Sequence, residues 1–308
     1  MSLFLVTGGA GFIGSNIVEE LLKHGEAVRV LDNFSTGRRE NISPFMDNME
    51  LIEGDIRSYH IVREALRGVD FVLHQAALPS VPRSIKDPIT TNEVNVGGTL
   101  NVLDAAKDAG VKRVVYASSS SIYGNNEIMA KREDMISLPM SPYAVSKLAG
   151  ESYCRIFSDI YGLETVCLRY FNVFGPRQDP ASQYSAVIPK FIAAMRRDVS
   201  PIIYGDGTQS RDFTFVANVV QANLRACVVE GVTGEVLNIA CGDRYTVLEL
   251  VDTLRRILNV QMIPEFDAER KGDVKHSLAD ISKARALLGY EPAYTFEKGL
   301  EETITWYR

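Results

Sequence analysis

Short apolar runs, each closed by glycine or a polar cluster, alternate through the first half of the chain with stretches whose apolar residues recur every three or four positions. Leu3–Thr7 is short, apolar and ended by glycines, which predicts a buried strand. Phe12–His24 follows with Ile13, Ile17, Leu21 and Leu22 on one side of a helix. Ala27–Leu31, Glu50–Glu53, Phe71–Gln75, Arg113–Ala117 and Thr165–Arg169 predict further strands, with helices at Ile61–Leu66, Thr91–Ala109 and Tyr143–Tyr161. Strands alternating with helices of this length imply parallel βαβ units. Continuous apolar strands such as Phe71-Val72-Leu73 suit a sheet buried on both faces. The expected fold is α/β: a doubly wound parallel sheet with a second, smaller α/β domain.

Beyond Phe174-Gly175-Pro176 the rhythm becomes irregular, with glycine and proline punctuating the chain through Gly205-Asp206-Gly207. Val216–Val229 has helical spacing and Val236–Ala240 reads as a strand; both are expected to return to the first sheet. Thr246–Leu258 and Ile281–Leu287 read as later helices, with Glu265–Asp273 as the loop between them. The expected division is residues 1–173 plus 211–241 for the first domain and 174–210 plus 242–308 for the second.

Of the 308 residues, 46% are hydrophobic and 23% charged, which argues for a large core and against disorder. Lys and Arg number 33 against 39 Asp and Glu, and basic pairs are isolated, so no nucleic-acid partner is expected. Cys154, Cys167, Cys227 and Cys241 form no CxxC pair and read as scattered thiols of a reducing compartment. His24, His60, His74 and His276 lack metal-ligand spacing, so no metal site is expected. The N-terminus has no basic leader and no run approaches ~18 apolar residues, so a cytoplasmic protein without membrane contact is expected.

Thr7-Gly8-Gly9-Ala10-Gly11-Phe12-Ile13-Gly14 joins the first strand to the first helix. Its glycines permit a tight turn and a close approach of backbone to a pyrophosphate, which the free N–H groups of the helix start would bind. Asp32 ends the second strand near the ~20-residue offset of a ribose-binding acid, the Rossmann arrangement. A carboxylate there accepts hydrogen bonds from ribose hydroxyls and repels a 2′-phosphate, favouring NAD over NADP. Arg38 and Arg39 in the next loop oppose this, since they could pair with such a phosphate. Asp55 and Ile56 follow the third strand and are placed to meet an adenine; a solvated loop aspartate is the alternative.

Tyr143 and Lys147 form a YxxxK pattern behind Pro142, and residues four apart share a helix face. An adjacent ammonium and a nicotinamide cation would both favour the phenolate, lowering a pKa that is ~10 in free tyrosine. A second copy, Tyr294 and Lys298, lies far along the chain and reads as structural. The first copy is preferred because it follows a strand and the run Ser118-Ser119-Ser120-Ser121, which would open toward the ligand crevice. A polar loop is the alternative reading of those serines.

With these motifs in place, the chain resembles an extended short-chain dehydrogenase/reductase, specifically a nucleotide-sugar 4-epimerase of the UDP-N-acetylglucosamine type. The resemblance rests on TGGAGFIG (7–14), Asp32-Asn33, Asp55-Ile56, HQAA (74–77), SSSSIYG (118–124) and SPYAVSK (141–147). RYFNVFGPRQ (169–178), YGDGTQSRDF (204–213) and RKGDVKHSLAD (270–280) extend it over nearly the whole chain. It implies a cofactor site of Gly8, Gly11, Phe12, Ile13, Gly14, Asp32, Asn33, Ser35, Thr36, Gly37, Asp55, Ile56, Gln75, Ala76, Ala77, Tyr143, Lys147 and Phe171. It implies a UDP-sugar site of Ser80, Ser119, Tyr143, Asn172, Val187, Tyr204, Arg211, Arg270, Asp273 and Ser277.

The implied reaction is 4-epimerisation through a transient 4-keto sugar and bound NADH. Tyr143 would be the base, Lys147 would hold the nicotinamide ribose, Ser119 would bond the 4-oxygen, and Arg211 and Arg270 would clamp the diphosphate. Related dehydratases and decarboxylases carry acids before the YG pair, where this chain has Ser119-Ser120-Ser121-Ile122. Ser277 stands where galactose-type enzymes have a bulky tyrosine, which leaves space for an acetamido group. Pro79 departs from the lysine those enzymes place beside the cofactor phosphates. A homodimer is expected, its four-helix bundle built from Thr91–Ala109 and Tyr143–Tyr161. The alternatives are a UDP-glucuronate 4-epimerase, against which Asn172 speaks because a Thr is usual there, and a non-catalytic NAD-binding module.

Overall fold

The computed structural model describes residues 1–180, 187–269 and 275–307. Its main sheet is built from β1 (Leu3–Thr7), β2 (Ala27–Asp32), β3 (Glu50–Glu53), β4 (Phe71–His74), β5 (Arg113–Ser119), β6 (Glu164–Tyr170) and β11 (Glu235–Ile239). These seven parallel strands run in the order β11-β6-β5-β4-β1-β2-β3. Alternation along β1 sends Phe4 and Val6 into one buried cluster and Leu5 into the other, so both faces are covered. Chain order reverses between β1 and β4, and there the C-terminal strand ends open a crevice.

Helices α1 (Phe12–Lys23) and α8 (Val216–Val228) pack together on one face, while α2 (Tyr59–Ala65) and α5 (Thr99–Ala109) pack together on the other. Helix α6 (Pro142–Tyr161) begins behind a Ser141 N-cap with proline in its first turn, and Gly162 ends it in the left-handed conformation at φ +71°. The predicted helix over 91–109 is interrupted. Helices α3 (Val81–Lys86) and α4 (Pro88–Asn92) precede a π-helical turn, Glu93–Gly98, before α5 begins.

As expected, α8 and β11 return to the main sheet, β11 pairing with β6. The region after residue 173 differs from expectation in its small strands. β7 (Val173–Phe174) pairs with β10 (Thr214–Phe215), and β9 (Ser210–Arg211) with β12 (Tyr245–Thr246). The expected loop 265–273 contains β13 (Glu265–Asp267), which pairs with β8 (Ile202–Tyr204). Helices α7 (Val187–Met195), α9 (Val247–Leu258), α10 (Ser282–Leu288) and α11 (Phe296–Trp306) cover this end, with Phe174, Phe213 and Phe296 in one aromatic cluster. Among the described residues no helix is long and apolar enough to cross a membrane.

Candidate active site

A cleft of about 770 Å³ lies over the strand ends. Its walls include Gly8, Gly11, Phe12, Ile13, Gly14, Asp32, Asn33, Ser35, Thr36, Gly37, Asp55, Ile56, Gln75, Ala76, Ala77, Ser80, Tyr143 and Lys147. Most of the residues expected at the cofactor site from sequence are thus gathered there from separate stretches of chain.

The glycine turn fits a pyrophosphate on its own geometry. Gly8 sits at φ +70°, and a Cβ there would lie 2.7 Å from Ala76 N; one on Gly14 would lie 2.1 Å from Gly8 O. Helix α1 has no side-chain cap, and its first intrahelical bond runs from Ser15 N to Gly11 O. The N–H groups of Phe12, Ile13 and Gly14 are therefore left for an anion in the cleft they line. Asp32 accepts Ala10 N at 2.9 Å and Phe34 N at 2.8 Å, and burial pushes its carboxyl above the usual range. Asp55 pairs with Arg57 at 2.7 Å and accepts from Asn33, which holds its pKa low.

The two arginines that argued for a 2′-phosphate are both engaged. Arg38 bonds Asp179 at 2.6 Å, and Arg39 bonds Glu53 at 2.5 Å while lying over the Phe34 ring. Phe171 does not line the cleft: its ring is fully buried against Tyr123, and its neighbour Tyr170, at the end of β6, lines the wall instead.

Strand β5 continues two residues past its predicted end and carries Ser119 to its last position. Ser119 Oγ accepts from Ser121 N at 3.2 Å and from Ser121 Oγ at 2.9 Å, and the serine hydrogen-bonds Tyr143. Lys147 is buried, with Nζ donating to Ala117 O at 2.8 Å and lying 5.1 Å from the Tyr116 ring and 5.9 Å from the Tyr143 ring. Burial pulls its ammonium down to about 8. Burial also pushes the Tyr143 phenol up, against the expected direction, and Ser119 is the group that pulls it back. One Lys147 N–H is taken by a strand carbonyl, and Ser119 is the protein group that favours the phenolate.

Outside the lining of that cleft, Asn172 sits at φ +34°, a strained value for a non-glycine residue. Its amide donates to Asp212 O at 3.1 Å and reaches Ser277 Oγ at 3.5 Å. Ser277 N donates to Ser210 O, and Arg211 Nη1 reaches the carbonyls of Ser210 and Lys275, so Asn172, Arg211 and Ser277 converge. Val187 opens α7 and Tyr204 ends β8. Arg270 and Asp273 lie outside the described residues.

Sequence reasoning missed Asn95. It lies in the π-helical turn, accepts Leu78 N at 2.7 Å and donates to Leu78 O and Ser146 Oγ, tying the cleft loop to the helix of Tyr143. The pair Gly97-Gly98 inside a helix was the available signal; a Cβ on Gly98 would lie 2.5 Å from Ile56. His74, the first residue of the HQAA motif, bridges Thr7 Oγ1 at 2.7 Å and Thr99 Oγ1 at 3.0 Å, and burial drops its pKa to about 3.

Comparison with known proteins agrees with this geometry. The profile of the NAD dependent epimerase/dehydratase family matches residues 4–240, and the chain belongs to that family. Over 99% of this chain and 98% of the other, it is 41% identical, with a TM-score of 0.95, to a UDP-N-acetylglucosamine 4-epimerase of Methanobrevibacter ruminantium M1 solved with UDP-N-acetylmuramic acid. A UDP-glucose 4-epimerase of Thermus thermophilus, solved with NAD, is 36% identical with a TM-score of 0.90, each chain 99% covered. The UDP-glucose 4-epimerase of Mycolicibacterium smegmatis is 37% identical over 99% of this chain and 98% of its own.

Proposed function

We propose that this NAD-dependent nucleotide-sugar 4-epimerase interconverts UDP-N-acetylglucosamine and UDP-N-acetylgalactosamine, and also turns over UDP-glucose and UDP-galactose. The observation that carries the acetamido preference is Ser277. A short hydroxymethyl side chain stands beside Asn172, at the position where, by the family resemblance, a tyrosine would restrict the C2 side of the sugar. The 41% identity to a UDP-N-acetylglucosamine 4-epimerase supports the same choice, although relatives named for plain hexoses are nearly as similar.

Tyr143 takes the proton of the sugar 4-hydroxyl and later returns it. Ser119 donates to the phenol oxygen, favouring its ionised form. Lys147 has two further N–H donors beyond the one on Ala117 O, suited to ribose hydroxyls. The chemistry NAD supplies when bound is reversible hydride acceptance at C4. The residues that would hold it are the glycine turn, Asp32, Asp55 and Lys147. The engaged Arg38 and Arg39 leave Asp32 to favour NAD over NADP. Arg211 and Asn172 hold the diphosphate while the sugar presents either face, and much of the rate comes from that positioning.

A homodimer completes the proposal. Val145, Ile156 and Ile160 are exposed on α6, and Ile85 and Ile89 beside it, an apolar face suited to a second copy. Product analysis with UDP-N-acetylglucosamine and UDP-glucose in parallel tests the substrate assignment. Ser277→Tyr is expected to lower turnover of the acetamido sugar about tenfold more than that of the plain hexose. Equal loss on both would remove Ser277 from that role.

A further inference from the structure

We propose that Glu151 is a positioning residue for the epimerisation, acting through Ser118 on Ser119; the inference rests on the roles of Tyr143 and Ser119 given above. Residues 143, 147 and 151 are four apart, so α6 turns all three toward the sheet. Tyr143 and Lys147 reach the cleft, whereas Glu151, one turn further along, is buried against β5 and β6. Its carboxylate accepts Arg169 Nε at 2.9 Å, Arg169 Nη2 at 2.8 Å and Ser118 Oγ at 2.5 Å. Arg169 Nη1 donates to Tyr123 Oη at 2.8 Å, and that hydroxyl donates to Asn238 Oδ1 at 2.7 Å.

Stability alone does not account for such a group. A buried ion pair is often no more stabilising than well-packed apolar residues of the same volume. Its distinctive effect here is geometric. Glu151 holds the side chain of Ser118, and Arg169, bonded to the same carboxylate, holds Tyr123. Ser119 lies between these two anchored residues, its side chain on the opposite face of the strand from Ser118. Ser121 supplies both hydrogen bonds that Ser119 Oγ accepts, which leaves the serine proton for Tyr143. One carboxylate thus fixes the strand end that carries the donor to the helix that carries the base. Asn238 continues the chain of contacts to the carbonyls of Lys131 and Asp280.

Ser118→Ala removes one arm and leaves the ion pair intact. The expected result is a kcat about tenfold lower per folded protomer, with the KM for the UDP-sugar and the NAD content unchanged and the melting midpoint lowered by only about 2–5 °C for the lost hydrogen bond. Tyr143→Phe is measured beside it. An unchanged kcat in Ser118→Ala, or a raised KM instead, overturns the positioning role while an inactive Tyr143→Phe leaves the proposed function standing. An active Tyr143→Phe overturns the function on which the inference rests. Glu151→Gln strands the Arg169 charge and also lowers stability, so its kcat is read per folded, NAD-loaded protomer and is expected to fall further than that of Ser118→Ala.

Discussion

The chain contains the pattern YxxxK twice, and the two copies differ in nearly everything except spacing. Tyr143 and Lys147 both lie within α6, whereas Tyr294 precedes the Thr295 cap of α11 and only Lys298 is helical. Lys147 is buried and donates to Ala117 O; Lys298 is exposed, its Nζ 4.7 Å from the ring of its own tyrosine. Tyr143 lines the cleft and interacts with Ser119 behind it, while Tyr294 packs against Phe215 with its backbone N held by Asn218. Tyr294 lies outside α11, and a spacing of four stacks two side chains on one face inside a helix. Even then, chemistry requires a strand end opposite that face to supply a partner. The first copy has both and the second has neither.

The largest effect expected is the difference between the two tyrosines. Tyr143→Phe should lower kcat by about 10²–10⁴, the usual worth of a positioned proton-transfer group, with NAD content unchanged. Tyr294→Phe should leave kcat within about twofold, since its hydroxyl is remote from the cleft. A similar loss from both changes would break the contrast. Steady-state assays of the two purified variants decide it.

A smaller effect separates the serine from the lysine as the support of the phenolate. Burial raises the Tyr143 pKa and Ser119 lowers it, so removing the serine raises it further. A base whose pKa rises is ionised over a narrower, more alkaline range. Ser119→Ala should therefore move the acid limb of the kcat–pH profile to higher pH. At pH 7 the rate should fall about 10–100-fold, as expected for losing a hydrogen bond to a charged oxygen. A lower rate with an unshifted limb would mean that the serine touches only the substrate.

The first half of the fold could be read from residues because its signals are local. Leu3–Thr7 and Glu50–Glu53 are strands at the predicted bounds, and α6 begins within one residue of its predicted start. The missed features depend on distant partners. Two-residue strands such as Val173–Phe174 and Thr214–Phe215 exist only because they pair across forty residues, and no period shows in so short a run. Part of the cofactor wall was readable for the same reason: the glycine turn after β1, Asp32 at the end of β2 and Asp55 after β3. Ser35 to Gly37 and Gln75 to Ala77 were expected from the family resemblance alone. Phe171 was harder: Tyr170 and Phe171 are adjacent, and which one faces the cleft is set by where β6 ends. Asn95 and Glu151 sit on helices among ordinary polar residues, and their roles come from groups reached across the sheet and the cleft loop.

The smallest effect tests whether the second copy has any role. Lys298 Nζ over the Tyr294 ring is a cation–π contact at an exposed site, worth about 0.5 kcal/mol. Lys298→Met keeps most of the aliphatic stem and removes the charge. For a chain of this size the melting midpoint should then fall by only about 1–2 °C, with kcat, KM and NAD content unchanged. A larger drop would show that α11 is anchored through this pair rather than through Phe296, Leu300 and Ile304, which are buried in the core. A loss of activity at unchanged stability would instead tie the C-terminal helix to the cleft, and the contrast between the copies would no longer hold.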